Sequence, residues 1–372
     1  MGDSYFRNRL EELLAPAGVS LNGAQPWDIT VHDERFYRRV FTQGHLGAGE
    51  SYMEGWWECR ALDEFFYRVL RHGIEKKISR RENLLETLAA RLLNLQTEKR
   101  SRSVARRHYD IGNDLFGRML DSRMIYSCGY WKDAGSLEEA QEHKLRLVFD
   151  KLDLRPGMRL LDIGCGWGGA ARFAAEHYGA EVTAVTISRE QQRLAEERCR
   201  GLPVRIELMD YRNVRGTFDR IYSIGMFEHV GYRNYPAYFE TVDRCLGQDG
   251  LTLLHTIGSN RTCTHGDPWS EKYIFPNSML PSATQITSAC EGRFMLEDWH
   301  VFSPDYDRTL MAWHRNFEEA WPELGKSYTE TFRRMWNYYL LSFAGAFRAR
   351  YDQLWQVLLS KSGIEGGRTV PR

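Results

Sequence analysis

A glycine-rich turn follows a short apolar run at residues 159–163, with glycines at Gly164, Gly166, Gly168 and Gly169. Glycine lets the backbone turn tightly and approach a ligand closely, so this pattern predicts a strand, a nucleotide-binding turn and a helix. The spacing also satisfies the G-x-G-x-x-G pattern of dehydrogenases, which is a weak motif by itself. The turn alone therefore leaves NAD and S-adenosylmethionine (SAM) as alternative ligands.

Two flanking positions favour SAM. Asp162 stands two residues before the first glycine, as in the D-x-G-x-G motif of class I methyltransferases, where dehydrogenases usually carry an apolar residue. A dehydrogenase also needs an acid about twenty residues later for the ribose, but the second predicted strand ends at Thr186 without one. Many SAM enzymes have that acid as well, so other groups must hold the ribose. The nearby candidates are Thr186, Ser188, Gln191 and Gln192.

The elements around the turn alternate between strand and helix. Strands are predicted at 159–163, 181–186, 204–209, 218–224 and 251–256, with helices at 170–178, 190–200 and 235–246. This alternation predicts an α/β fold with a doubly wound, mainly parallel, Rossmann-like sheet. Beyond residue 294 we expect a short strand and helices at about 308–321 and 327–358. A smaller N-terminal α+β domain is expected, with strand-like pieces at 29–31 and 36–37, a turn-rich stretch at 43–50 and a helix at 61–70.

Further polar residues lie where the predicted strands end. Asp210 and Tyr211 follow the third strand, where a carboxylate can accept a hydrogen bond from adenine and an aromatic ring can stack on it. Glu228 follows the fourth strand and His255 lies at the end of the fifth. Ligands bind at the carboxyl ends of parallel strands, so Glu228 and His255 should project toward the methyl donor. The structural alternative is a turn acid at the end of the strand for Asp210 and a core histidine for His255. His229 is the better candidate for a purely structural partner.

Composition limits the classes of function. Lysine plus arginine and aspartate plus glutamate both number 50 in 372 residues, so no global field attracts nucleic acid. Seven scattered cysteines without a C-x-x-C pattern argue against a disulfide framework or a metal site and for a reducing compartment. No apolar run is long enough to span a membrane, and the N-terminus lacks a signal core, so a cytoplasmic location is expected. Residues 75–107 hold ten basic and four acidic residues with leucines at helical spacing. They predict a basic amphipathic helix, either a solvated linker or a contact with anionic phospholipid.

The chain resembles the cyclopropane-fatty-acyl-phospholipid synthase family. The resemblance covers about residues 100–358 and rests on segments at 108–114, 126–131, 161–169, 186–188, 225–231, 255–259, 267–269, 273–276 and 347–350. It implies methyl transfer from SAM to a cis double bond of an unsaturated acyl chain in membrane phospholipid. Loss of a proton from the resulting carbocation then closes a cyclopropane ring. The resemblance implies a SAM site that includes Tyr126, Ser127, Asp162, Gly164, Gly166, Gly168, Thr186, Ile187, Gln191, Asp210 and Tyr211.

The resemblance also implies a bound bicarbonate as the base, cradled by Cys128, Glu228, His255, the backbone of Ile257, and Tyr306. It further implies a homodimer that associates transiently with the inner face of the membrane. We expect an N-terminal lipid-associating domain at 1–92, a basic linker helix at 93–107 and the catalytic domain at 108–372. Phe343 stands where many family members carry a cysteine, so a cysteine nucleophile is not expected here. The alternatives are a relative that leaves a methyl branch or a hydroxylated chain, and a lipid-binding protein with a degenerate SAM fold.

Overall fold

A computed structural model describes residues 3–78 and 112–372, which divide into two compact units. Within the described residues, the first unit comprises 3–78, His265–Pro276 and Tyr306–Asp352, and the second comprises 112–264, Asn277–Asp305 and Gln353–Arg372. The compact units therefore do not coincide with the linear boundaries expected at 92 and 108. Two later segments pack with the N-terminal residues, which a linear division of the sequence cannot anticipate.

The second unit is built on a seven-stranded sheet. Its strands are β3 (Arg159–Ile163), β4 (Glu181–Thr186), β5 (Val204–Leu208), β6 (Phe218–Ile224), β7 (Leu246–Ser259), β8 (Met295–Val301) and β9 (Asp352–Ser360), in the order β5-β4-β3-β6-β7-β9-β8. The neighbouring pairs β5-β4, β4-β3, β3-β6 and β6-β7 are parallel, and β8 pairs antiparallel with β9. The predicted α/β fold with a mainly parallel sheet is confirmed.

Helices cover both faces of this sheet, and successive residues of its central strands are therefore buried on opposite sides. Leu160 belongs to one core cluster and Leu161 to the other, as the two-residue period of a strand requires. The helices of the unit are α5 (Asn113–Met119), α6 (Leu137–Lys151), α7 (Gly169–Tyr178), α8 (Arg189–Arg198), α9 (Tyr235–Cys245) and α11 (Ala283–Cys290). The sequence order of the strands reverses between β3 and β6, which makes their carboxyl ends the switch point where such sheets bind ligands.

The first unit is mainly helical. It contains α1 (Asp3–Leu14), α2 (Arg35–Met53), α3 (Leu62–Arg71), α4 (Glu75–Ile78), α10 (Pro268–Tyr273), most of α12 (Pro304–Leu324), α13 (Glu330–Arg348) and a two-stranded sheet of β1 (Ile29–Val31) and β2 (Trp57–Cys59). Aromatic side chains fill its core, and the fully buried ring of Tyr338 lies 4.5 Å from the ring of Trp269.

Two predictions for the first unit are wrong. The strand-like piece at 36–37 and the turn-rich stretch at 43–50 are both part of α2. Phe36, Tyr37 and Val40 lie on one buried face of this helix, so helical packing overrides their strand propensity. One glycine of this stretch, Gly44, has φ 52° and interrupts the helical backbone of α2.

The prediction of one long helix at 327–358 is also wrong. Helix α13 ends at Arg348, Arg350 adopts φ 59°, and residues 352–360 form β9. Strand β9 lies between β7 and β8 and is buried at every position after its first residue. A strand buried on both faces gives a continuous apolar run, which periodicity cannot distinguish from a buried helix.

Most of the predicted basic helix at 75–107 lies outside the described residues, which include only its start, α4. Over residues 3–78 and 112–372, no helix is both long and apolar enough to cross a membrane.

Candidate active site

The glycine turn adopts a backbone that only glycine accommodates easily. Gly164 has φ 92° and Gly168 has φ 79°, both in the left-handed region that side chains disfavour. A Cβ at Gly164 would lie 2.7 Å from Cγ of Met226, and one at Gly169 would clash with the carbonyl oxygen of Arg123. The turn is therefore tightly enclosed by the residues that follow β6 and by the segment that precedes residue 126.

Asp162 supports the turn from within the sheet. Its side chain is buried and accepts a 2.6 Å hydrogen bond from the hydroxyl of Tyr222 on the neighbouring strand β6. Burial raises the pKa of Asp162 to about 7, opposed by the Tyr222 hydrogen bond and the nearby charge of Lys144. The acid that favoured SAM over NAD thus has a structural partner, which the sequence did not identify.

The segment with Tyr126 and Ser127 lies beside the turn. The ring of Phe116 contacts both Tyr126, at 5.1 Å between centroids, and Trp167 of the turn, at 4.9 Å. A Cβ on Gly225, directly after β6, would lie 3.8 Å from the Cβ of Ser127. The structure therefore brings Tyr126 and Ser127 together with the glycine turn at the switch point, as a role in cofactor binding requires.

The predicted ribose-binding residues form a bonded loop after β4. The hydroxyl of Thr186 donates to Oε1 of Gln191 at 2.8 Å and accepts from the backbone N–H of Ser188 at 3.2 Å. Ser188 in turn caps the start of α8. Ile187 lies between these hydroxyl residues in the same loop. The bond to Thr186 uses the oxygen of the Gln191 amide, which leaves its nitrogen as the group suited to donate to a ribose hydroxyl.

Asp210 has a partner that the sequence reasoning missed. Its carboxylate accepts from Nε and Nη2 of Arg212 at 2.8 and 2.7 Å, and Tyr211 packs against Tyr238 with 5.7 Å between ring centroids. A carboxylate has about four acceptor positions, so Asp210 keeps the capacity to accept a further hydrogen bond. An arginine two residues after the acid was the available signal for this pairing.

Glu228 and His255 lie at the ends of neighbouring strands. In the β6–β7 register His255 pairs with Ile224, and Glu228 follows on a short 3₁₀ helix. Oε1 of Glu228 accepts from the backbone N–H of Ile257 at 2.7 Å, and Nδ1 of His255 lies 3.3 Å from Nε2 of Gln356. Oε2 of Glu228 and Nε2 of His255 are buried without a hydrogen-bond partner in the described structure. Because buried polar atoms are rarely left unpaired, both atoms point to a ligand.

Burial sets the charge of these groups. It raises the pKa of Glu228 to about 7. Burial, together with the positive charges of Lys144 and Lys151, holds the pKa of His255 well below its ordinary value. The imidazole is therefore neutral at physiological pH. The pKa of His229 is lowered to about 4 by burial.

The remaining predicted groups are divided between the two units. Cys128 is fully buried in the second unit, and its thiol lies 3.1 Å from the carbonyl oxygen of Gly129. Tyr306 belongs to the first unit, where its ring stacks on Phe347 with 4.5 Å between centroids. The second unit therefore contains four of the five predicted catalytic residues. It also adds Gln356, which stands 101 residues from its partner His255.

Comparisons with known proteins identify the family of this chain. The family model described as mycolic acid cyclopropane synthetase matches residues 96–357. The cyclopropane-fatty-acyl-phospholipid synthase of Escherichia coli K12 is 55% identical over 371 residues, which cover 100% of this chain and 97% of that protein. The chain belongs to the cyclopropane synthase family. It is accordingly a SAM-dependent methyltransferase.

More distant members of the cyclopropane synthase family support the same assignment. A tuberculostearic acid methyltransferase of Mycobacterium tuberculosis is 33% identical over 350 residues, covering 88% of this chain and 81% of that protein. A crystal structure of a mycolic acid cyclopropane synthase in complex with SAH and CTAB is 31% identical, with a TM-score of 0.64. The structural match covers 70% of this chain and 98% of the mycolic acid cyclopropane synthase.

Phe343 packs among aromatic side chains of the first unit. Phe343 lies in α13, where its ring contacts Tyr339 at 5.1 Å and lies 6.4 Å from that of Phe275. The position is part of an aromatic cluster in the first unit. The side chain thus has a packing role that a cysteine would not fill equally well.

Proposed function

We propose that this enzyme transfers the methyl group of SAM to a cis double bond in an unsaturated acyl chain of membrane phospholipid and closes a cyclopropane ring. Family membership supports the reaction class. The observation that carries the proposal is the pair of unpartnered buried atoms, Oε2 of Glu228 and Nε2 of His255, beside the glycine turn. An acceptor and an imidazole nitrogen in a water-poor site suit the deprotonation that closes the ring.

SAM fits the site formed by the glycine turn, the 126–127 segment and the loop after β4. When bound, it supplies the methyl group. The protein must position a weakly nucleophilic alkene against this group, and such positioning contributes much of the rate. Near His255, the rings of Phe302 and Tyr130 lie 5.3 Å apart. Aromatic faces of this kind stabilise a cation by about 0.5–2 kcal/mol each.

We also propose bicarbonate as the bound base. The unpartnered atoms fit a small hydrogen-bonding anion: Nε2 of the neutral His255 imidazole can donate to it, and Oε2 of Glu228 faces the same end of the sheet. The backbone N–H of Ile257 orients Glu228, and Cys128 is the buried thiol proposed beside them. Glu228, whose pKa is about 7, can share a proton with such an anion. Tyr306 is the fifth proposed group. Bicarbonate, when bound, would accept the proton released on ring closure.

Product analysis tests the reaction. Purified enzyme is incubated with SAM and vesicles of oleoyl or vaccenoyl phospholipid, and the fatty acid methyl esters are separated by gas chromatography with mass spectrometry. Cyclopropane acyl chains are expected, and their absence with both lipids would reject the proposal. Bicarbonate is tested by depleting carbon dioxide from the same assay. Turnover should fall without it and return when it is added.

A methyl-branched product is the second candidate. A tuberculostearic acid methyltransferase and fungal sphingolipid C9-methyltransferases are 32–34% identical to this chain, although the latter match over only 66–69% of it. Chromatographic retention and the mass spectrum separate branched and hydroxylated chains from a cyclopropane. A lipid-binding protein without catalysis is tested by calorimetry, because it would give no heat on titration with SAM.

We further propose that the enzyme is a homodimer that binds the cytoplasmic membrane surface through the basic segment at 75–107. Ten basic against four acidic residues there support attraction to anionic head groups. Binding to vesicles with anionic lipid should weaken as ionic strength rises. Binding that is independent of salt would reject an electrostatic contact, and sedimentation equilibrium would measure the oligomeric state.

A further inference from the structure

Helix α6 directs two polar side chains into the buried interior of the second unit. Gln141 and Lys144, three residues apart and so on one helix face, have no exposed surface. The amide nitrogen of Gln141 donates to the carbonyl oxygen of Ser127 at 2.7 Å. Nζ of Lys144 donates to the hydroxyl oxygen of Ser127 at 2.8 Å. Both side chains therefore bind the same residue, which lies beside the glycine turn.

Burial of the Lys144 ammonium group destabilises the folded protein, so we expect its hydrogen bond to Ser127 to serve the function. Removing an ammonium group from water costs several kcal/mol unless charges and hydrogen bonds compensate it. The charged and titratable groups around Lys144 are Asp121, Cys128, Asp162 and the neutral His255. Burial lowers the pKa of Lys144 to about 8, opposed by Asp121, Cys128 and Asp162, so the ammonium form predominates at physiological pH.

The ammonium group fixes the direction of the hydrogen bond. Protonated lysine only donates, so Oγ of Ser127 must accept, and the hydroxyl proton of Ser127 must point elsewhere. Gly225, directly after β6, offers no side chain in that neighbourhood, and a Cβ there would lie 3.8 Å from that of Ser127. The Ser127 hydroxyl is thus an oriented donor at the switch point between β3 and β6.

We infer that Lys144 is a positioning residue for SAM: it holds Ser127 as a hydrogen-bond donor to an oxygen atom of the cofactor. Lys144 itself touches neither the cofactor nor the acyl chain in this arrangement. The inference rests on the proposed function only for the place where SAM binds. The buried face of α6 thus has a role in SAM binding that differs from that of the glycine turn. The turn offers backbone N–H groups, whereas the orientation of the Ser127 hydroxyl depends on the charge of Lys144.

A double-mutant cycle on the full-length protein tests this inference. Binding of SAM and of S-adenosylhomocysteine is measured by calorimetry for wild type, Lys144→Met, Ser127→Ala and the double variant. Each single substitution should weaken binding about fivefold to tenfold, which corresponds to loss of one neutral hydrogen bond. The double variant should bind no more weakly than the weaker single variant. Additive losses, or unchanged binding in Lys144→Met, would overturn the inference.

Lys151→Met is the matched control. Lys151 is equally buried on the same helix, but it donates to Asp298 at 2.9 Å instead of to the cofactor segment. This variant should melt at a lower temperature and still bind SAM within twofold of wild type. Loss of SAM binding equal to that of Lys144→Met would show a general effect of helix disruption and overturn the inference.

The pH dependence decides the outcome if Lys144→Met does not fold. Lys144 loses its proton as pH rises through about 8, so SAM affinity of wild type should fall above that pH. Ser127→Ala lacks the oriented hydroxyl and should show less of this fall. Identical pH profiles for the two proteins would overturn the inference. None of these titrations uses an acyl substrate, so they can succeed even if the product assay fails.

Discussion

Replacing Glu228 with glutamine should slow turnover sharply and make the ligand-free protein more stable at alkaline pH. Glutamine has nearly the same shape, and its oxygen can still accept from the backbone N–H of Ile257. It cannot ionise and cannot share a proton. Loss of proton transfer from a positioned group typically costs 10²–10⁴-fold in rate. SAM affinity should change little, because Glu228 has no part in the glycine turn.

The stability effect follows from the pKa of Glu228, which rises from an ordinary 4.5 to about 7 on folding. Between these pH values the unfolded carboxyl has lost its proton while the folded one retains it, so the stability of wild type falls as pH rises. A rise of about 2.5 in the pKa, at about 1.4 kcal/mol per pKa unit, gives a cost of up to about 3.5 kcal/mol above pH 7. Glutamine avoids this cost.

The assay is thermal unfolding of wild type, Glu228→Gln and the exposed control Glu240→Gln at pH 5 and pH 8. Glu228→Gln should exceed wild type at pH 8 and approach it at pH 5, whereas the control should match wild type at both. Product formation is measured with saturating SAM at pH 8. Equal melting temperatures at pH 8 would refute the argument from burial. Equal turnover would refute the catalytic role, and a parallel loss of SAM binding would make Glu228 a cofactor ligand instead.

Three further substitutions give distinct outcomes. His255→Asn should reduce turnover at least about a hundredfold with SAM affinity retained, measured by product formation and calorimetry; full turnover would contradict a role for Nε2. Gly169→Ala should abolish SAM binding or lower the melting temperature, because its Cβ would clash with the carbonyl of Arg123. A variant of normal stability and affinity would contradict the close packing of the turn. Phe343→Cys should lower the free energy of unfolding by about 1–2 kcal/mol, because the half-buried ring loses its aromatic contacts, with turnover per folded molecule unchanged; increased turnover would indicate a thiol role.

Local sequence patterns are sufficient to predict the central elements of the catalytic unit. The strands at 159–163, 181–186 and 218–224 and the helix that follows the glycine turn are local patterns, fixed by apolar runs and by glycines that no other residue replaces. Glu228 and His255 could be placed together because parallel strands have their carboxyl ends at one edge of the sheet. The motifs from residue 100 onward were specific enough to indicate the family.

Contacts between residues that are far apart in the sequence could not be predicted and are seen only in the folded protein. Residues 352–360 form a strand that lies between β7 and β8 in the sheet, and the core clusters on the two faces of the sheet bury its side chains. Burial on both faces leaves an apolar run without a strand period. Gln356 reached His255 across 101 residues, and segments 265–276 and 306–352 joined the N-terminal unit. No pattern in the sequence distinguishes Lys144, which is fully buried in the folded protein. Its burial depends on the tertiary fold, because the groups that set the free energy of its charge, Asp121, Cys128 and Asp162, are distant from it in sequence.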